Sequence, residues 1–174
     1  GIRGAGGPFG AISENLGQLV QVAADGSWTN VVDVSAYEAA ENPDGGEIDS
    51  NPYALARVDG GFLVADAGAN ALLHVADNGD ISTVAVFPDR MVEFPPGSGQ
   101  MIPMQAVPTS VAVGPDGAYY VGQLTGFPFP VGGANIYRVV EGEEPEYPSD
   151  AELHPTAPLP GTQPAAAPFP QSGR

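Results

Sequence analysis

Oxygen-bearing side chains crowd one stretch of this sequence: Asn42, Asp44, Glu47, Asp49 and Asn51 fall within ten residues. Carboxylates and amides of this kind are the ligands that hard cations such as Ca²⁺ prefer. The spacing does not match an EF-hand loop. Asn, Asp and Gly are also the residues that close turns with their own side chains, so the stretch reads either as a solvated, turn-rich loop or as a Ca²⁺ site held by Asp44, Glu47 and Asp49. Asp66 and Asn70 bracket an Ala-Gly-Ala segment. There, a carboxylate following a strand either caps the turn or lines a binding mouth. The run Leu124-Thr125-Gly126-Phe127-Pro128-Phe129-Pro130 sets two aromatic rings between prolines. Such a segment, too long for a tight hairpin, either packs down on its sheet or offers a stiff aromatic ledge to a ligand, and long loops on rigid scaffolds are often functional. Leu124, Thr125, Phe127 and Phe129, with Asp66 and Asn70, are the candidate ligand-binding residues.

Other titratable residues read as unremarkable. Glu38 and Glu41 stand three apart on a short helical stretch and read as a solvated face. His74 alternates with Leu73 and Val75 and reads as solvent-facing, and His154 lies among prolines. With no Cys and no Lys in the chain, nucleophilic and general-base chemistry would rest on carboxylates, Ser or Tyr, and no such set has a recognisable spacing.

The elements that position these residues repeat. Asn51 to Ala56 matches Val107 to Ala112 at a shift of 56, and the same shift carries the turn at Asp59-Gly60-Gly61 onto Pro115-Asp116-Gly117, Gly61 onto Gly117. Leu72 to Gly79 matches Leu19 to Gly26 at a shift of 53, and a third copy, Ile136 to Val140, follows Leu72 by 64. The lengthening falls in the loop from Leu124 to Gly133. Each unit reads strand, Asp-Gly turn, strand, loop, strand, Asp-Gly or Asn-Gly turn, strand, because β-branched and aromatic runs are separated by hairpin dipeptides.

Four antiparallel strands per repeat make a propeller blade. The fold expected is therefore all-β: a β-propeller of four-stranded antiparallel blades, about two and a half blades of a six-bladed ring. The complete unit runs through strands near Ala54–Arg57, Phe62–Ala65, Leu72–Val75 and Ile81–Phe87. The first unit keeps only Leu19–Val22 and Trp28–Val34, and the third fails after Val140. Between blades, Ala36 to Glu41 reads as one helical turn, and Pro88 to Gln105 as an ordered excursion whose apolar residues cover a blade edge. Residues 1–142 are assigned to the partial propeller and 143–174 to a disordered, proline-rich tail, since eight of the 19 prolines fall between Pro145 and Pro170 and proline cannot donate to a ladder.

Composition agrees. Across 174 residues, 24 Gly and 19 Pro disfavour a helical bundle, while 43% apolar residues suffice for a core. A net charge of −16 would repel nucleic acid and anionic membranes, and no apolar run approaches the roughly 20 residues of a membrane span. Gly at position 1 reads as the start of a processed or partial chain. Open blade edges should favour self-association.

Pro52, Asp59-Gly60-Gly61, Val64-Ala65-Asp66, Asn70, Leu72, Val75 and Gly79 resemble the NHL-type propeller repeat. Asn42 to Gly46, Asp49 to Tyr53, Val64 to Asn70, Val107 to Val121 and Leu124 to Gly132 together resemble the ScyD/ScyE family of bacterial propeller proteins, over roughly residues 4–142. That resemblance implies an exported, secreted or periplasmic, six-bladed ring serving as a binding or scaffold module for a small molecule or protein; no reaction attaches to the family. An enzyme of the metal-dependent lactonase or lyase class on a related ring is the alternative, and it would require a convergent set of His or carboxylates at the channel mouth.

Overall fold

Eleven strands and one helix make up residues 15–146, the part of the chain that the computed structural model describes. β1 (Gln18–Val22) and β2 (Trp28–Asp33) form a two-stranded sheet. α1 (Val34–Glu41) follows, and then β3 (Pro52–Val58), β4 (Gly61–Asp66), β5 (Ala71–Ala76) and β6 (Ile81–Val86) pair in order as a four-stranded antiparallel sheet. β7 (Arg90–Glu93) and β8 (Met101–Met104) form a hairpin, and β9 (Pro108–Val113), β10 (Tyr119–Gln123) and β11 (Ile136–Val139) a three-stranded sheet. This is a partial β-propeller: a half blade, a complete blade and a third blade missing most of its outer strand.

The turns explain why the strands fold back where they do. Gly26, Gly60, Gly79 and Gly117 all take positive φ, a conformation that costs other residues but not glycine. In three of these turns the preceding residue accepts the backbone N–H two positions on: Asp25 from Ser27, Asn78 from Asp80 and Asp116 from Ala118. The glycines matched across the repeat are Gly60 and Gly117 rather than Gly61 and Gly117. Pro52 and Pro108 begin strands with the same bulge, at a shift of 56, but their pairing partners Asp66 and Gln123 stand 57 apart. One residue has therefore been added within the turn.

The complete blade is the middle layer of the described region. On β4, Leu63 points into a cluster with Leu72, Ala85, Phe87, Val121, Tyr137 and Val139, which belongs to the third blade's side. Its neighbour Val64 points the other way, into a cluster with Val34, Ala71, Leu73 and Val75, backed by Leu19 and Val32 of the half blade. Phe87 and Tyr137 stack across the first interface with ring centroids 4.7 Å apart. Both faces of β4 and β5 are buried, so these strands read as near-continuous apolar runs although their side chains alternate. β3 lies against β9, closing the angle between the two blades.

Two expectations are corrected, and the one for 88–105 is made specific. The helix is longer than one turn: it begins at Val34, which the sequence pattern places at the end of a strand, because Asp33 caps it by accepting the Ala36 N–H at 2.9 Å. The segment 88–105 contains a hairpin in register Arg90 to Met104, with Met104 buried. The third blade does not end at Val140: Gly142 turns the chain, and Glu146 exchanges two backbone hydrogen bonds with Arg138 in the place of a fourth strand. Arg138 also reaches the Glu146 carboxylate at 3.2 Å and that of Asp116 at 2.9 Å, so pairing continues past the boundary expected at 142. The rest of the proposed tail, 147–174, lies outside the described residues.

A candidate binding face

Antiparallel blades send their connections alternately to two ends of the sheet. The four glycine turns all lie at one end. At the other lie the β2–β3 connection with α1 and the acidic loop, the β4–β5 turn with Asp66 and Asn70, the β6–β9 connection with the β7–β8 hairpin, and the β10–β11 loop with Phe127 and Phe129. Topology alone thus gathers every candidate ligand or metal residue on one face. His74 sits in the other half of β5, half-buried beside Gly61, well away from that face.

Asp66 and Asn70 are joints of this face rather than part of its surface. Asp66 is fully buried, and its carboxylate accepts from the backbone N–H groups of Asn51 (2.6 Å), Gly68 (3.1 Å) and Ala69 (3.2 Å) and from the Ser50 hydroxyl (2.7 Å). It therefore caps its own turn and fastens the end of the acidic loop to it. Asn70, buried at positive φ, donates to Asp44 Oδ2 at 2.9 Å and accepts the Val107 N–H at 3.0 Å. One amide so links the acidic loop to the entry of the third blade. The Asp66 carboxylate is thus committed to capping its turn, and the Asn70 amide to holding two connections together.

The acidic residues do not converge. Asp44 spends one oxygen on the Gly46 N–H at 2.8 Å and the other on Asn70, while Glu47 and Asp49 are exposed. Among the described residues no group of three His, Cys, Asp or Glu side chains is placed to hold a metal ion. The loop's Asn and Asp residues serve turn chemistry, with Asn42 as the helix C-cap at positive φ.

Glu38 departs most from expectation. It is 1% exposed rather than solvated, because it lies one helical turn after Val34 on the face turned inward. No donor stands in hydrogen-bond geometry to either carboxylate oxygen. Burial, and then the nearby charges of Asp44, Asp66 and Asp49, push its pKa up to about 7, against a smaller opposing effect of the Asp49 backbone N–H. One side of the carboxyl borders a cavity of about 420 Å³, so it is shielded from solvent yet loosely surrounded. The apolar residue four positions earlier was the signal that could have found it.

The aromatic loop behaves as a ledge. Phe127 and Phe129 are 55% and 65% exposed and Leu124 is 62% exposed, whereas Thr125 is buried and cannot contact a ligand. The Phe127 ring meets Phe94, at the end of β7, edge-on at 4.8 Å and 73°, and meets Phe129 at 6.1 Å and 88°. These are the preferred aromatic geometries. The backbone beneath is fixed. Gly126 N–H donates to Gln105 and Thr125 N–H to Ala106, while the Gly133 carbonyl accepts from Arg90, Gln123 and Asn135. Val107 and Thr125, both β-branched, are held at positive φ of 54° and 81°. A non-glycine residue there costs on the order of 1–3 kcal/mol, and such strain clusters at functional segments.

The chain matches no described protein family and no curated protein sequence. Among solved structures, it is similar to a catalytically inactive virginiamycin B lyase from Staphylococcus aureus with quinupristin, at 15% identity and a TM-score of 0.49, over 78% of this chain and 35% of that one. It thus spans about a third of that protein's length.

Proposed function

We propose that this propeller is a binding module that takes a ring-bearing small molecule on the ledge formed by Phe94, Phe127 and Phe129. The carrying observation is the two edge-to-face contacts that hold Phe127 and Phe129, rings that stay more than half exposed, against each other and against the partly buried Phe94. Apolar surface left open on a braced loop is the usual mark of a contact site. A planar ligand would extend the same stacking series, with Leu124 beside it. The likeness to ScyD/ScyE proteins, which rests on the sequence strings, adds an exported location to this reading. A metal-dependent enzyme would need converging carboxylates or His, and no observation on this face favours one.

Indole is a suitable probe. In protein labelled with 4-fluorophenylalanine, the fluorine resonances of Phe127 and Phe129, assigned from single Phe→Leu variants, should shift saturably with indole, and a Phe127→Ala/Phe129→Ala variant should lose the binding. Shifts confined to other phenylalanines, or binding that survives in the double variant, would overturn the reading.

A further inference from the structure

The cavity beside Glu38 offers a second kind of recognition, distinct from the aromatic ledge. Its volume of about 420 Å³ lies within the range of small-molecule sites. Leu16, Ala39 and Ile48 supply apolar wall, and Ser35 and Ser50 line the same cavity as Glu38. Gly17 permits this arrangement: it takes positive φ, and a Cβ there would meet the Ser35 hydroxyl at 1.7 Å. The Ser50 hydroxyl donates to Asp66, so its remaining lone pairs are acceptors.

A buried carboxylate with no well-formed hydrogen bond is costly unless a cation meets it. The described part of the chain supplies none. Arg57 pairs with Asp77, Arg138 with Asp116 and Glu146, and Arg90 donates to Gly133, and the chain has no Lys. The other charged groups bearing on Glu38, Asp44 and Asp49 from the acidic loop and Asp66 from β4, are all acidic. A spherical metal ion is a poor match, because Asp66 spends both oxygens on protein donors and Asp44 does the same.

We infer that this cavity binds a small organic cation, a primary ammonium on a short aliphatic body, with the ammonium on Glu38 and the serine hydroxyls and the carbon chain along Leu16, Ala39 and Ile48. An ammonium carries three donors and no acceptor, which suits a cavity lined by one carboxylate and two serines.

The probe is n-butylammonium chloride, titrated into the full chain and followed by amide ¹H–¹⁵N shifts, with 1-butanol and NaCl as controls. Saturable shifts should centre on Gly17, Ala39 and Ile48, and butanol should bind at least tenfold more weakly. Glu38→Gln, which keeps the shape and removes the charge, should weaken butylammonium at least tenfold, and Ile48→Trp, at an exposed wall position, should block it with the carboxylate intact. With the Glu38 pKa at about 7 and the amine charged throughout, apparent affinity should fall roughly tenfold from pH 8 to pH 6 as the ionised fraction drops. Absence of saturable shifts, equal binding of butanol, unchanged affinity in Glu38→Gln, or affinity independent of pH would each overturn the inference.

Discussion

Replacing Glu38 by Gln should remove a pH dependence that the wild-type protein carries. In the folded chain its pKa rises from 4.5 to about 7, so between those values the native state holds a proton that the unfolded state has released. Stability from this group is therefore greatest below pH 4.5 and falls as pH rises, until the full penalty is present above about 7. The interval from 4.5 to about 7, at 1.36 kcal/mol per pH unit, sets a ceiling of about 3 kcal/mol. A cavity on one side of the carboxylate lets solvent screen part of that, which leaves roughly 2 kcal/mol. For a domain of this size the corresponding change in melting temperature is roughly 6–8 °C. Circular dichroism with urea and heat, at about pH 5 and about pH 7.5, measures it. The variant should exceed wild type by only about 0.5 kcal/mol near pH 5 and by roughly 2 kcal/mol near pH 7.5. Because both proteins share every other carboxylate, the difference between them isolates Glu38. Parallel pH dependence in the two would refute the argument.

Asp66→Asn should cost about 3 kcal/mol in urea unfolding, since one buried carboxylate satisfies four donors and an amide turns its own N–H toward them; a loss under about 1 kcal/mol would show those bonds to be dispensable. Ca²⁺ should raise the melting temperature no more than Mg²⁺ at equal concentration, with the rise unchanged in Asp49→Asn, because Asp44, Glu47 and Asp49 do not converge and the effect is screening of a net charge of −16. A saturable, Ca²⁺-specific rise lost in that variant would restore the metal site.

The blades were legible because their signals are local. Asp-Gly and Asn-Gly dipeptides fix turns within a few residues, and the parity of Leu63, Val64, Leu72 and Leu73 can be counted along the chain. What escaped depends on contacts distant in sequence. Nothing near Asn70 announces that its amide will meet Asp44 and Val107, 26 and 37 residues away. The hairpin of β7 and β8 was hidden by proline: Pro103 stands inside β8, opposite Met91, and reads as a breaker. Glu146 follows a run of acidic residues and Pro145, yet it pairs because Arg138 satisfies both its backbone and its side chain. The buried glutamate was missed for a different reason. On a short helix bearing two acidic residues, exposure is the default expectation, and only the shared face with Val34 argues otherwise.

The division of the middle blade between alternate residues separates the fates of its two seams. Leu63 and Val64 are adjacent in sequence, but one packs toward the third blade and the other toward the half blade. Substitutions at such neighbours share few partners, so their effects should add as if the residues were remote. One interface can therefore drift and be repaired by its own partners while the other stays unchanged. A chain built this way can exchange or extend a flanking blade without renegotiating the blade that remains.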